Sequence, residues 1–323
     1  MAKEGLTPSQ REALEAQFSR KLKEQLPLGR YTSSRIGGPA DYLIAVRSRD
    51  DLVDAVRFLW REEIRFRVVG GGTNILVADA GVRGVVLLNQ ARRFTFEKEA
   101  EGSWLLWAES GASMGTIARR SVERNLTGLE WAAAIPGSVG GAVVNNAGAM
   151  GGNTAGSLEV AEILQPNKDY EVWKPAQFSY AYRSSVLKSN PGMAVVLRAA
   201  YRLQEADSDA VQQKLAEAVE HRQRTQPAGA SWGSTFKNPP GDFAGRLIEA
   251  AGLKGFKVGG VEVSTLHANF FLSQEGATAS DAAQLIRVVQ EKVKQHSGVD
   301  LELEVEIFGD WPQDPENDSA EDR

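Results

Sequence analysis

The sequence predicts an α+β fold in two parts that meet near residue 204. Strands and amphipathic helices occur in both halves, but they do not alternate as regular β-α-β units, which argues against a doubly wound sheet. The length of 323 residues fits two domains of roughly 150 residues each. Hydrophobic residues make up 42% of the chain and charged residues 24%, so we expect globular cores that need no disulfide or metal.

The part before residue 204 begins with a helix and continues mainly as strands. Residues 7–26 predict one helix, because Thr7 can cap it, Pro8 suits its first position and Gln10 can complete a capping box. Ser48 caps a second helix with one apolar face. The other predicted elements are a helix at 114–124 and strands at 42–46, 66–70 (which looks buried), 85–88, 104–109, 159–165, 170–175 and 193–203.

The part after residue 204 is predicted to begin with a polar helix at 207–224, in which Val211, Leu215 and Val219 are four apart. The other predicted elements are a helix at 243–251 that ends at Gly252, a helix at 280–296 capped by Ser280, and strands near 259–264, 269–273 and 301–309.

The net charge of −5 comes from the C-terminal end. Six of the 42 acidic and one of the 37 basic residues lie in 310–323, which leaves 36 of each elsewhere. This balance is unlike that of a nucleic-acid-binding domain. We expect 310–323 to form an acidic disordered tail. The chain has no cysteine, which excludes disulfides, thiol nucleophiles and Cys-ligated metals and favours a reducing compartment.

Two glycine-rich loops predict anion binding. Residues 70–74 (GGGTN) follow a strand, and successive backbone N–H groups in such a turn can surround phosphate oxygens. The loop lacks the P-loop and dinucleotide-fingerprint spacings, so taken alone it also fits an ordinary tight turn. In the second loop, residues 135–148, Ser138 can cap a short helix at 139–144 whose N-terminal N–H groups would face an anion. Together the loops predict one pyrophosphate held between them.

The segments RIGGPADY (35–42), VVGGGTNILVADAGVRGVV (68–86) and 135–148 resemble the flavin-binding half of the UDP-N-acetylenolpyruvoylglucosamine reductase family. This family belongs to the superfamily of FAD proteins related to vanillyl-alcohol oxidase. The resemblance implies a two-part FAD-binding domain of the vanillyl-alcohol oxidase type and a smaller α+β substrate-binding domain. The implied divisions are an N-terminal helix (1–29), the FAD-binding domain (30–204), the substrate-binding domain (205–309) and the acidic tail (310–323).

The same resemblance implies FAD with its pyrophosphate against the two loops. We expect non-covalent FAD, because the chain lacks cysteine and its three histidines lie outside the flavin loops. The implied FAD-binding residues are Arg35, Gly70, Gly71, Gly72, Thr73, Asn74, Ile135, Pro136, Gly137, Ser138, Gly140, Gly141, Asn145 and Gly148.

Three further segments, 178–185 (FSYAYRSS), 233–239 (GSTFKNP) and 301–306 (LELEVE), resemble the family's catalytic motifs. The implied catalytic residues are Arg183, Ser234 and Glu304, and the implied substrate-binding residues are Tyr182, Lys237 and Asn238. In the first segment the aromatic residues alternate as on a strand, and we expect Phe178 and Tyr180 to pack in the core. In the last segment period two places Glu302, Glu304 and Glu306 on one strand face, so Glu302 stays an alternative to Glu304.

The resemblance implies that NADPH, through FAD, reduces UDP-N-acetylglucosamine enolpyruvate to UDP-N-acetylmuramate for peptidoglycan precursors. Arg183, assisted by Glu304, would stabilise the charge that develops when hydride adds to C3, and Ser234 would protonate C2. Residues 221–258 hold six bases against two acids, which suits a diphosphate. The chain looks like the family type that lacks an extra tyrosine-bearing loop. We expect a cytoplasmic monomer that binds no metal, nucleic acid or membrane.

Two alternatives remain open. The chain could be an FAD-dependent oxidase of the same superfamily with another substrate, although the GSTFKNP segment argues against it. It could also be a non-catalytic nucleotide-binding protein, although Arg183, Ser234 and the terminal glutamate are all present.

Overall fold

The computed structural model describes residues 5–311 and has the predicted α+β fold. The helices are α1 (Pro8–Phe18), α2 (Arg49–Arg61), α3 (Met114–Val122), α4 (Val139–Asn145), α5 (Thr154–Ser157), α6 (Val186–Ser189), α7 (Ser208–Thr225), α8 (Ala244–Ala250) and α9 (Ala279–Ser297). Short 3-10 turns lie at Ser19–Lys21, Leu28–Tyr31, Glu130–Ala132 and Pro175–Phe178.

The strands before residue 204 are β1 (Leu22–Pro27), β2 (Pro39–Val46), β3 (Phe66–Val69), β4 (Ile75–Val77), β5 (Val82–Asn89), β6 (Phe94–Ala100), β7 (Ser103–Glu109), β8 (Leu126–Thr127), β9 (Gly148–Ala149), β10 (Gly152–Asn153), β11 (Leu158–Leu164), β12 (Glu171–Trp173) and β13 (Val195–Glu205). Those that follow are β14 (Lys257–Val258), β15 (Val261–Val263), β16 (Phe271–Ser273) and β17 (Glu306–Phe308).

The first sheet has the order β1-β2-β5-β3. Strands β2, β5 and β3 are parallel, and β1 is antiparallel at the edge. The apolar face of α2 packs on this sheet, where Leu52 and Leu59 join Leu87 in one fully buried cluster. Because β3 and β5 run in the same direction, the loops that follow them lie at the same edge of the sheet.

The second sheet is antiparallel, with the order β12-β11-β13-β7-β6. Helices α3 and α4 cover it, so that Ile117 and Val139 share a core with Tyr201 of β13. This packing fixes α4, and therefore the second glycine-rich loop at its N-terminus.

The C-terminal part contains the small antiparallel sheet β14-β15-β16, with α8 and α9 packed around Trp232, Phe236 and Phe271. It does not stay separate from the rest. Strand β17 pairs in parallel with β4, and Arg222 of α7 donates to the Ala134 carbonyl at 2.5 Å. A division of the chain at residue 204 stays a prediction.

The first helix is shorter than predicted. Thr7 and Gln10 form the expected capping box, but α1 ends at Phe18 and the chain continues into β1. Residues 22–27 are a strand because they pair with β2, a partner that the local sequence does not reveal. Helix α9 begins one residue early, since Thr278 caps it and the Ser280 hydroxyl donates to Asp79 instead.

Several strand predictions also need correction. Strand β3 is less buried than predicted, with Val68 37% exposed. Strands β4 and β6 were not predicted, and the last strand is limited to β17. Residues before β17 leave strand geometry because their backbone bonds to residues 235–237: Lys237 N–H donates to Glu302 O at 2.8 Å.

Within residues 5–311, no helix is both long enough and apolar enough to cross a membrane, and no group of three or more acidic or histidine side chains could hold a metal. The predicted tail lies mostly outside the described residues. Its first residue, Asp310, is ordered and forms an ion pair with Arg83 at 3.1 Å.

Candidate active site

The two glycine-rich loops are in direct contact. Gly70, at the end of β3, lies so close to Ser138 that a Cβ atom on Gly70 would overlap the serine Oγ. A Cβ atom on Gly71 would lie 3.2 Å from Gly137 Cα. Residues with side chains would therefore push the loops apart, which explains the glycines here.

The backbone N–H groups of the two loops differ in their availability. In the part of the chain that the structure describes, those of Gly71, Gly72 and Thr73 donate to no protein acceptor. Those of Val139 and Gly140 donate to Ala112 O at 2.8 Å and Ser110 O at 2.7 Å. The predicted anion site at the N-terminus of α4 is therefore wrong, because carbonyl groups in the turn after β7 already accept these N–H groups. Ser138 caps α4 as predicted.

A cleft of about 260 Å³ lies beside the first loop, at the carboxyl ends of β3 and β5. Ligands of parallel sheets commonly bind at this edge. The cleft is lined by Arg30, Tyr31, Thr32, Ser33, Gly70, Gly71, Leu88, Gln90 and Arg92. Free N–H groups, two arginines and a glycine cradle fit the phosphates of a dinucleotide such as FAD.

Arg183 and Glu304, which are far apart in the sequence, form an ion pair. Arg183 Nε lies 2.9 Å from Glu304 Oε1, although the N–H is poorly aligned for a hydrogen bond. A second guanidinium nitrogen donates to the Gly148 carbonyl at 2.8 Å. Burial, with Glu304 only 14% exposed, raises the pKa of its carboxyl group. The cations Arg183, Lys188 and Lys237 act in the opposite direction.

The aromatic residues before Arg183 do not lie on a strand, so that prediction is wrong. The segment begins in a 3-10 turn, with Phe178 fully buried and stacked on Tyr180 at 5.0 Å between ring centroids. Tyr180 also donates to Val143 O at 3.0 Å, which confirms that both residues pack in the core. Tyr182 is 54% exposed, beside the Arg183 guanidinium.

The loop that carries Ser234 lies against both Glu304 and the first glycine-rich loop. Thr235 O accepts the N–H of Glu304 at 2.9 Å, and the side-chain amide of Asn74 donates to Glu304 O at 3.1 Å. Gly233 approaches the carbonyl of Thr73. The structure therefore brings the implied catalytic residues and the GGGTN loop to one place.

The predicted common face of the three glutamates is wrong, since Glu302 and Glu304 lie in different environments. The Glu302 side chain is 76% exposed and pairs with Lys237 at 3.1 Å, whereas the Glu304 side chain is 14% exposed and pairs with Arg183. Asn238, implied to bind substrate, uses its side-chain oxygen to accept the N–H of Ala244 at the start of α8.

Three of the implied FAD-binding residues lie apart from the contact between the loops. Arg35 is exposed, with a left-handed backbone (φ 60°). Asn145 donates to Gly141 O at 3.0 Å, and its side-chain oxygen is buried without a protein partner. Gly148 lies on Arg183 as described above.

Sequence reasoning missed two residues that support the site, the buried Asn269 and the partly buried Lys188. Asn269 binds both backbone groups of Phe236, two residues after Ser234. Lys188 donates to the Arg183 carbonyl at 3.1 Å. Neither residue type stands out in a single sequence.

Comparisons with known proteins identify two family matches along the chain. Residues 40–164 match the family described as FAD binding domain, and residues 224–308 match the UDP-N-acetylenolpyruvoylglucosamine reductase C-terminal domain. The reductase of that name from Rubrobacter xylanophilus is 46% identical over 286 residues, which is 88% of this chain and 94% of the relative. The one from Streptococcus pneumoniae is 39% identical over 290 residues, covering 90% and 94%.

A solved structure shows the same fold over most of its length. The crystal structure of UDP-N-acetylenolpyruvylglucosamine reductase from Thermus caldophilus has a TM-score of 0.76 and 34% sequence identity. The similarity covers 89% of this chain and 99% of that chain.

Proposed function

The chain belongs to the UDP-N-acetylenolpyruvoylglucosamine reductase family, and we propose that Arg183, Glu304 and Ser234 perform the charge and proton chemistry of its reaction. The protein is a flavin-dependent oxidoreductase that uses NADPH to reduce UDP-N-acetylglucosamine enolpyruvate to UDP-N-acetylmuramate. The observation that supports the residue roles is the partly buried Arg183–Glu304 pair, which lies beside the Ser234 loop and the GGGTN loop.

Arg183 stabilises the negative charge that the reaction creates. Hydride addition at C3 of the enolpyruvyl group leaves charge on C2 and its carboxylate. A guanidinium already held by Glu304 and the Gly148 carbonyl needs little reorganisation to meet this charge. The raised pKa of Glu304 favours the protonated form, which can donate a hydrogen bond to the same group.

Ser234 delivers the proton to C2. A serine hydroxyl is a weak acid in water, but a strongly basic carbanion accepts its proton when the two groups are aligned. The flanking backbone is fixed, because Thr235 bonds to both Asn269 and Glu304. This rigidity supports Ser234 as a donor of defined direction.

In this proposal FAD would be held at the first glycine-rich loop, which the second loop contacts directly. The free N–H groups of Gly71, Gly72 and Thr73 would bind its phosphates, and Arg30 and Arg92 of the cleft would add positive charge. When bound, FAD supplies the hydride chemistry that connects NADPH to the enolpyruvyl group. Its binding is non-covalent, since the chain lacks cysteine and none of its three histidines lies in these loops.

The UDP-sugar is held mainly by the C-terminal part. Lys237 and Asn238 border the Ser234 loop, and Tyr182 exposes its ring next to Arg183. The proposal includes the divisions at residues 29, 204 and 309, a cytoplasmic location and a monomeric state. Analytical ultracentrifugation at micromolar concentration tests the last of these.

The Ser234→Ala variant tests the assignment. We expect FAD reduction by NADPH to stay within twofold of wild type, while reoxidation by the enolpyruvyl substrate slows by about 10²-fold or more. The matched control is Ser231→Ala, in the same loop, which should behave as wild type. Stopped-flow absorbance of the flavin measures both half-reactions. Unchanged reoxidation in Ser234→Ala would remove this residue from the mechanism, and reoxidation by oxygen alone would favour an oxidase.

A further inference from the structure

We propose that Lys188 is a positioning residue for the catalytic pair, which fixes the backbone of Arg183 and supplies positive charge next to Glu304. The inference rests on the function proposed above. It assigns a role to a residue outside the two glycine-rich loops and the Ser234 loop.

The backbone of Lys188 is anchored firmly. It lies in α6, a single helical turn, where its N–H donates to Ser185 Oγ at 3.2 Å. The same hydroxyl donates to the Val144 carbonyl in α4 at 2.6 Å. Lys188 is therefore tied to the helix that begins at the second glycine-rich loop.

The side chain of Lys188 returns to Arg183. Its Nζ donates to the Arg183 carbonyl at 3.1 Å, and Arg183 has a left-handed backbone with φ 54°. L-residues other than glycine rarely adopt this conformation, so surrounding contacts must hold it. Paired backbone hydrogen bonds between Ala181 and Ser184 close this turn, and the Asn146 amide donates to the Ala181 carbonyl at 2.9 Å. Lys188 adds a contact on the carbonyl of Arg183 itself.

The ammonium group of Lys188 is placed to act on Glu304 by charge. The charged groups that face it are the cations Arg183 and Lys237 and the acids Glu304 and Glu306. Within residues 5–311 its Nζ forms no ion pair shorter than 4.0 Å, so Glu304 and Glu306 act on it from a longer distance. Burial lowers the pKa of Lys188, and both glutamates oppose this change. Its charge in turn lowers the pKa of Glu304.

The Lys188→Met variant separates this role from packing, because methionine keeps most of the side-chain volume and removes the charge. We expect kcat to fall about tenfold or more, while FAD content and FAD reduction by NADPH match wild type. In the pH profile of kcat/KM, the limb that belongs to Glu304 is identified as the one that Glu304→Gln abolishes. In Lys188→Met this limb should move to higher pH by up to about one unit, since loss of a nearby cation raises the pKa of a carboxyl group. Lys188→Arg should restore the position of that limb, and Lys168→Met on an exposed turn is the control.

Three outcomes decide the matter. A moved limb with rescue by arginine supports the proposal. Turnover within twofold of wild type and an unmoved limb in Lys188→Met would overturn it. Lost turnover with an unmoved limb and no rescue by arginine would also overturn it, because packing alone then explains the loss. If the wild-type protein does not reduce the UDP-sugar, the proposed function is refuted instead. The pH dependence of thermal unfolding, compared between wild type and Lys188→Met, would then still report the effect of Lys188 on Glu304.

Discussion

The Asn269→Ala substitution tests whether the Ser234 loop is held by one buried side chain. Asn269 is 3% exposed, and its side chain makes two hydrogen bonds to the backbone of Phe236. Its oxygen accepts the Phe236 N–H at 2.9 Å, and its amide donates to the Phe236 carbonyl at 2.8 Å. Alanine removes both bonds and leaves two backbone groups without partners next to a fully buried aromatic ring.

The expected loss of stability follows from those two groups. A buried polar group without a partner costs about 1–3 kcal/mol, so the two together give roughly 2–5 kcal/mol after some local relaxation. This is a large share of a typical free energy of unfolding of about 5–15 kcal/mol. At about 2 °C per kcal/mol for a protein of this size, Tm should fall by roughly 4–10 °C.

The catalytic effect should be confined to the Ser234 step. Ser234 is one residue away from Thr235, whose N–H donates to the Asn269 carbonyl at 2.8 Å, so a loosened loop misplaces the serine hydroxyl. A displacement of about 1 Å costs on the order of 10²-fold in rate. We therefore expect reoxidation of reduced FAD by substrate to slow by about 10- to 100-fold, with FAD reduction by NADPH within twofold of wild type.

The Asn269→Asp variant is the matched control. It keeps the acceptor for the Phe236 N–H but places a second oxygen against the Phe236 carbonyl, which destabilises the ionised form. A protonated carboxyl can donate there, so part of the lost stability should return as the pH falls. Chemical unfolding and stopped-flow flavin absorbance give the two readouts. The argument would be refuted if Asn269→Ala had a free energy of unfolding within about 1 kcal/mol of wild type and reoxidised its flavin at the normal rate.

Two further predictions concern the glycine-rich loops and the pH dependence of stability. Gly70→Ala should weaken FAD binding at least tenfold in a fluorescence titration, because the new Cβ atom overlaps Ser138 Oγ. Adding Ser138→Gly to this variant should recover part of the loss. The control is Gly156→Ala, whose Cβ atom meets only an ordinary contact and which should bind FAD as wild type does. Because the pKa of Glu304 is raised in the folded protein, its contribution to stability is present below the ordinary value of 4.5 and is lost as pH rises through the raised pKa. The free energy of unfolding of wild type minus that of Glu304→Gln should therefore fall over this pH range. A rise in this difference would contradict the assigned direction.

Elements whose signals are local could be predicted from the sequence. The caps at Thr7, Ser48 and Ser138 form the expected hydrogen bonds, because each involves residues three apart. Residues 22–27 could not be predicted, because only pairing with β2 makes them a strand. The glycine-rich loops were found as separate motifs, and their direct contact follows from the way α4 packs on the second sheet.

The chemical residues of the site could be named from their resemblance to the family, but their supports could not. An asparagine and a lysine are common surface residues, and only burial and direction distinguish Asn269 and Lys188. The same limit explains the wrong anion site at α4. The sequence marks a helix start after Ser138, but it does not show that Ser110 O and Ala112 O already accept the first N–H groups.

Glu304 shows why the division of the chain into domains does not divide its site. Alternation predicts that Glu302 and Glu304 share a face, and this would hold if residues 301–305 lay in a regular ladder. Instead Glu304 is held between Thr235 O from the C-terminal part and the side-chain amide of Asn74 from the FAD-binding half. Its carboxylate then meets Arg183, which precedes residue 204. A shift between the two parts would therefore change the Arg183–Glu304 contact directly, so the charge in the site depends on how the parts are joined.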